Sequence, residues 1–67
     1  MLTERQKEVL KFLREFVAKN GYPPTRAEIC DGFGWGSNQS AEGHLRCLER
    51  AGKITIASGI SRGIALK

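Results

Sequence analysis

Two stretches of this 67-residue chain, Thr3-Glu4-Arg5-Gln6 and Thr25-Arg26-Ala27-Glu28, share one build: a threonine followed three residues later by Gln or Glu. In such a capping box the threonine hydroxyl accepts a hydrogen bond from the third helical N–H, and the Gln or Glu side chain reaches back to the threonine N–H. Each stretch marks a helix start, and Ser37, a good N-cap residue, marks a third. Glycines close the same segments: Asn20-Gly21 ends the first, Gly34 the second and Gly52 the third. The punctuation predicts a long helix, a short one and a third over 38–51, with the remainder left for something else.

Periodicity fills these segments. Val9, Leu10, Leu13, Phe16 and Val17 recur at helical spacing with Phe12 at the edge, while Lys7, Lys11, Arg14 and Glu15 fall mostly on the other side. This stripe is core. Tyr22-Pro23-Pro24 is a stiff connector, because proline fixes its own torsion and extends the residue before it. On the second helix Ala27, Ile29, Cys30 and Phe33 offer apolar contact. On the third, at about 100° per residue, Ala41, Leu45 and Leu48 share the core side with His44 flanking them. Gln39, Gly43, Arg46 and Arg50 lie opposite, with Ser40 and Glu42 at the margins. A helical glycine costs about 1 kcal/mol relative to alanine, yet Gly43 points away from the core and makes no room for a buried neighbour. Residues 53–56 and 64–67 alternate polar and apolar as half-buried strands do, and 57–63 supply a turn-rich loop. The expected fold is mainly α with a small β-hairpin: a single domain over 1–67, three helices plus a two-stranded wing.

Size and composition remove most function classes. A domain near this length buries only about 60% of its unfolded surface, which leaves little room for a substrate cleft. A hydrophobic content of 40% suits a folded domain. No apolar run approaches a membrane span, and the charged N-terminus is unlike a signal peptide, so the expected location is cytoplasmic, at the nucleoid. Cys30 and Cys47 show no CxxC spacing and are expected to be reduced and buried. His44 and Cys47 stand three apart, as two metal ligands can. A structural zinc site takes about four ligands and no second pair exists. His44 is read as a helix-surface residue, and no metal, cofactor or small-molecule ligand is expected. Without a nucleophile–base pair or phosphate loop, an enzyme is not expected either.

The charge distribution is more telling. Net charge is +4, but the seven basic and seven acidic residues of 1–49 cancel, so Arg50, Lys53, Arg62 and Lys67 carry the whole excess. A one-sided basic surface suits an anionic partner, most often nucleic acid. Two short helices joined by a glycine-containing turn are the mark of a helix-turn-helix, and small Cys30, four before Gly34, suits their close approach. The third helix would enter a major groove, with the hairpin as a wing. Its outward side carries Asn38, Gln39, Ser40, Glu42 and Arg46, all able to address base edges: Gln can pair with adenine, Glu can accept from cytosine N4, Arg can fork onto guanine or bind phosphate. Ser37, Asn38, Gln39 and Ser40 are short and uncharged, as suits a helix N-terminus pressed toward phosphates.

Taken in order, Leu2-Thr3-x-Arg5-Gln6-x-Glu8-Val9, Pro23-Pro24-Thr25-Arg26-Ala27-Glu28-Ile29, Ala41-Glu42-x-His44-Leu45 and Ser58-Gly59-x-Ser61-Arg62-Gly63-Ile64 resemble the N-terminal domain of the LexA repressor family over nearly the whole chain. The resemblance implies a winged helix-turn-helix transcriptional regulator that binds SOS-type operators on double-stranded DNA as a dimer on an inverted repeat. It implies that the third helix reads each half-site while the wing approaches the minor groove. By the same resemblance, Glu42 is a base-reading carboxylate and Ser37 a cap and phosphate contact. Arg5 and Arg26 lie near the backbone, and Ser61 and Arg62 belong to the wing. Arg50 and Lys53 join that set from the basic C-terminal quarter. Gln39, Ser40 and Gly43 depart from the family's Asn, Ala and second Glu, all at the reading surface, so the scaffold is kept and the reader altered. The self-cleaving Ser/Lys domain that follows in the family is absent from these residues. Either the chain is whole and is not switched off by self-cleavage, or it is an excised domain. The competing expectation is a winged-helix module that binds another protein, with Trp35 as its contact.

Overall fold

The computed structural model describes residues 2–57, 59–60 and 62–67. Three helices, α1 (Glu4–Asn20), α2 (Arg26–Phe33) and α3 (Asn38–Arg50), precede two strands, β1 (Ile54–Ile56) and β2 (Ile64–Leu66). Both capping boxes form. Gln6 N donates to Thr3 Oγ1 and Thr3 N to Gln6 Oε1, each at 3.1 Å. At α2, Glu28 N donates to Thr25 Oγ1 at 3.1 Å and Thr25 N to Glu28 Oε1 at 2.8 Å. Ser37 caps α3 by accepting from Gln39 N at 3.2 Å.

The turn between α2 and α3 sets how the two helices meet. Gly34 adopts φ +73°, with its N–H on Asp31 O at 3.3 Å, while Trp35 N donates to Cys30 O at 2.8 Å. This paired closure is a Schellman motif, which needs a left-handed residue at its centre. Cys30 Sγ then donates to Ser37 O at 3.2 Å, so the end of α2 also holds the start of α3.

The core forms where the three helices and the hairpin converge. Val9 and Leu13 of α1, Ile29 of α2, Ala41, Leu45 and Leu48 of α3 and Ile54 of β1 are fully buried, with Leu10, Cys30 and Ile64 beside them. Helix α3 packs on α1, α2 and β1. The strands pair antiparallel with Ile54 opposite Leu66, Thr55 opposite Ala65 and Ile56 opposite Ile64. Ile54 and Ile64 face the helices, while Thr55 and Ala65 face water.

Three boundaries and one contact differ from expectation. Each strand is one residue shorter, because Lys53 N closes α3 on Leu48 O at 3.0 Å instead of joining the ladder. Lys67 N still donates to Lys53 O at 3.1 Å, just outside the strands. Helix α3 ends at Arg50 rather than 51, although Ala51 N continues its bonding to Cys47 O at 3.0 Å. Ala27 makes no core contact and is exposed. It lies about 200° around α2 from Ile29, at 100° per residue, and so faces the opposite way. None of the helices, among the described residues, is long and apolar enough to cross a membrane.

Replacing Gly34 by Ala puts a Cβ on a left-handed residue, at about 1–2 kcal/mol. Gly34→Ala is therefore expected to lower the unfolding free energy by about that amount. Urea denaturation followed by fluorescence of the single Trp35 measures it. Unchanged stability would contradict the turn geometry.

Candidate nucleic-acid interface

Burying Ala41, Leu45 and Leu48 turns the opposite side of α3 to solvent. Asn38, Gln39, Ser40, Gly43, Arg46 and Arg50 are all exposed, as is the cap Ser37. A Cβ built on Gly43 meets nothing within 4 Å, so this glycine is a notch in an open surface. Arg50 stands about 18 Å along the axis from Asn38, at about 1.5 Å per residue, and exposed Lys53 follows it. These two sit too far from the helix start to share one surface with it.

The two flanks of α3 differ in chemistry. On one, His44 is half-buried rather than free on the surface: its ring stacks on Trp35 at 5.3 Å between centroids, and Trp35 stacks on Phe33 at 4.7 Å. The Arg5 guanidinium lies 5.9 Å from the Trp35 ring centroid, while its Nη1 is 3.5 Å from Glu8 Oε1. Trp35 is thus half-buried and packed against Phe33, His44 and Arg5.

On the other flank lies a groove of about 180 Å³ between α3 and the wing, lined by Arg26, Glu42 and Arg46 on one side and Ile56, Gly59 and Ile60 on the other. Both oxygens of the Glu42 carboxylate are engaged. Arg26 Nε donates to Oε2, and Arg46 Nε lies 3.0 Å from Oε1. The hydrogen bond from Arg26, joined by the charges of Arg26 and Arg46, holds the Glu42 carboxyl below the usual glutamate range against the opposing effect of burial. Glu42 thus lies in the expected region but ties two arginines together.

Arg62 is also committed. Its Nη1 donates to Glu28 Oε1 at 2.6 Å and to Pro23 O at 2.8 Å, its Nη2 to Glu28 Oε2 at 3.1 Å, and its guanidinium sits 4.5 Å from the Tyr22 ring centroid. Rather than projecting from the wing, this side chain straps the wing to the start of α2. Ser61 lies outside the described residues. Sequence reasoning assigned Glu28 to the cap alone and missed the strap. Glu28 and Arg62 are 34 positions apart, and no local pattern signals such a pair. Glu49 was missed in the same way: its Oε2 accepts from Ile56 N at 3.3 Å and fixes β1 to α3.

An exposed, capped third helix bracketed by arginines, as the second helix of a helix-turn-helix and before a strapped hairpin, is the geometry of a winged DNA-binding domain. The family model for the LexA DNA binding domain matches residues 1–63. The chain belongs to the LexA DNA-binding domain family. Curated LexA repressors are similar throughout: that of Halorhodospira halophila is 55% identical over 65 residues, covering 97% of this chain and 29% of the relative. The Bordetella avium repressor is 53% identical over 66 residues, with 98% and 31% covered. That of Azoarcus sp. is 51% identical over 65 residues, with 97% and 32% covered. The chain therefore spans about 30% of the length of the curated relatives it matches.

Within this LexA-type domain the two glutamates behave alike. Hydrogen bonding from Arg62, then from the Thr25 backbone, lowers the Glu28 carboxyl below the ordinary 4.5, as Arg26 and Arg46 do for Glu42. A carboxylate whose folded pKa is depressed stabilises the fold above the ordinary value and loses that contribution as pH falls through the folded value. Carboxyl NMR titration is expected to give midpoints below 4.5 for both residues. Glu28→Gln is expected to lower the melting temperature at neutral pH and to converge with wild type in acid. Equal melting at neutral pH would contradict the strap.

Proposed function

We propose that this domain is the operator-binding part of a LexA-type transcriptional repressor, working on double-stranded DNA in the bacterial cytoplasm. In this reading the start of α3 enters the major groove, with Asn38, Gln39 and Ser40 facing base edges. Ser37 and the exposed N–H groups of the first turn meet phosphate. Arg26 and Arg5 hold the backbone on either flank, Arg50 and Lys53 meet it further along, and the wing lies over the adjacent minor groove. Two copies on an inverted repeat would place two α3 helices on successive major-groove faces, about one helical turn apart. One α3 helix offers few base contacts, so the pairing supplies avidity. Residues 1–67 act by binding; their proposed role contains no chemical step.

The observation that carries this reading is the outward side of α3. It is polar and exposed along its length, with a groove leading from it to the wing. The relatives named LexA repressor support its assignment to transcriptional repression. The alternative of a protein-binding module relied on Trp35 as a contact, and that ring is occupied by Phe33 and His44.

A titration at two salt concentrations tests the proposal, with an SOS-type inverted repeat and a scrambled duplex of equal length. Tighter binding to the repeat is expected, with binding to both duplexes weakening as salt rises. Arg26→Ala and Lys53→Ala are each expected to reduce the slope of log K against log salt by about 1. Absence of binding to either duplex by the folded chain would overturn the proposal.

A further inference from the structure

We infer that Ile60, at the tip of the wing, is a specificity-determining contact to the minor groove that selects A·T pairs by giving the guanine 2-amino group no acceptor. The inference rests on the proposed placement of α3 in the major groove and the wing over the adjacent minor groove, and it names what the wing reads there.

Exposure and position single this side chain out. Ile60 is 57% exposed, and among the described residues only Tyr22 is another large hydrophobic side chain left so open. Tyr22 is accounted for by its contacts with the Phe16 ring and the Arg62 guanidinium. Ile60 is not among the side chains that pack on the core, and turns favour Gly, Asn, Asp, Ser and Pro over a β-branched residue. A lone exposed aliphatic residue is ordinary on a protein surface. This one stands on the lip of the groove whose opposite wall carries Arg26 and Arg46.

The turn holds it there. Ala57 N donates to Gly63 O at 2.8 Å, and Gly63 N donates to Ile60 O at 3.2 Å. This closure requires glycine at 63, because a Cβ would lie 2.6 Å from Ala57 O and 3.1 Å from Ile60 O. Gly59, at φ +76°, bends the chain just before Ile60. Two residues after it, Arg62 is tied to Glu28 and to Pro23 O. The tip is therefore constrained before any partner arrives, and little ordering is left for binding.

Duplex geometry then says what Ile60 meets. One sugar–phosphate strand separates a major groove from the adjacent minor groove. With α3 in the major groove, that strand lies over the groove between α3 and the wing, and Ile60 stands on the far lip, at the minor groove. There an A·T pair shows only the acceptors A N3 and T O2, whereas G·C adds the guanine N2 amine. Isoleucine is among the side chains that minor-groove proteins insert. Against G·C the amine projects toward the side chain and is left as a covered donor without a partner, which is expensive. Against A·T the same side chain approaches closely and loses its exposed apolar surface to the contact.

Selection from a random duplex pool with the 67-residue chain supplies the preferred site. Each adenine is then replaced in turn by 2,6-diaminopurine, which adds a minor-groove amine and leaves the major-groove edge facing α3 unchanged. For wild type a loss of about tenfold is expected at one or two positions per half-site. Ile60→Ala is expected to bind the unmodified site about tenfold more weakly, through loss of partly buried apolar surface. Its melting temperature is expected to stay at the wild-type value, because the side chain lies outside the core. In this variant the diaminopurine penalty is expected to shrink to about twofold. Any effect of the modified base on duplex shape is common to both proteins and cancels in that comparison. Ile60→Val keeps the β-branched contact and is expected to keep the penalty. A site without an amine-sensitive adenine, wild-type affinity in Ile60→Ala, or an undiminished penalty in that variant would each overturn the inference while leaving DNA binding intact. Equal weakening of the preferred and a scrambled duplex by Ile60→Ala would overturn it too. Failure of the folded chain to bind any duplex would overturn the reading beneath it as well.

Discussion

The burial of Ala41, Leu45 and Leu48 fixes almost everything else in this domain. These three side chains are the part of α3 that α1, α2 and β1 enclose, and all three are fully buried. A buried leucine contributes about 1.5–3 kcal/mol relative to an exposed one, a large share of what a domain this small can muster. Because α3 is rigid, fixing its inner stripe fixes the direction of every outer residue. Gln39, Gly43 and Arg46 face outward as a consequence of core packing, before any partner is present. The same helix is thus the centre of the core and the proposed reading surface.

Electrostatics then orients what packing exposes. Exposed ion pairs contribute little to stability, since solvent screens them and ordering long side chains costs entropy. Their significance here is geometric. Glu42 aligns two arginines from different helices, and Glu28 combines the α2 cap with the strap to Arg62. Glu49 adds a third link by accepting from the β1 backbone. Three glutamates therefore connect α2, α3 and the hairpin. The wing is held in place by these links as well as by Ile54 and Ile64.

What was legible in the sequence is what is decided locally. The caps at Thr3, Thr25 and Ser37, the glycine stops and the apolar stripes involve residues within a turn or two of each other, and they appear where expected. The outward direction of Gly43 followed from helical periodicity alone. What was not legible depends on distant residues meeting. Arg62 with Glu28 and Arg26 with Glu42 are long-range pairs that composition cannot reveal, so arginines counted as free cations prove to be partnered. Gly32 is a similar case: a Cβ there would lie 2.5 Å from the Phe12 ring, a reason for glycine that only the packed α1–α2 contact supplies. Ala27 shows the converse, an apolar residue counted toward the core but standing on the side of α2 turned away from it.

The central claim is that core packing presents one preformed DNA-binding face, made of α3 and the groove side of the wing. Amide NMR during titration with the preferred duplex tests it most directly. The account predicts that perturbations concentrate at the exposed residues of 37–46, at Arg26 and across 59–63, while the buried core of α1 and the partly exposed Phe12 and Phe16 keep their shifts. Perturbation centred on Phe12, Phe16 and Tyr22, with α3 unmoved, would contradict it.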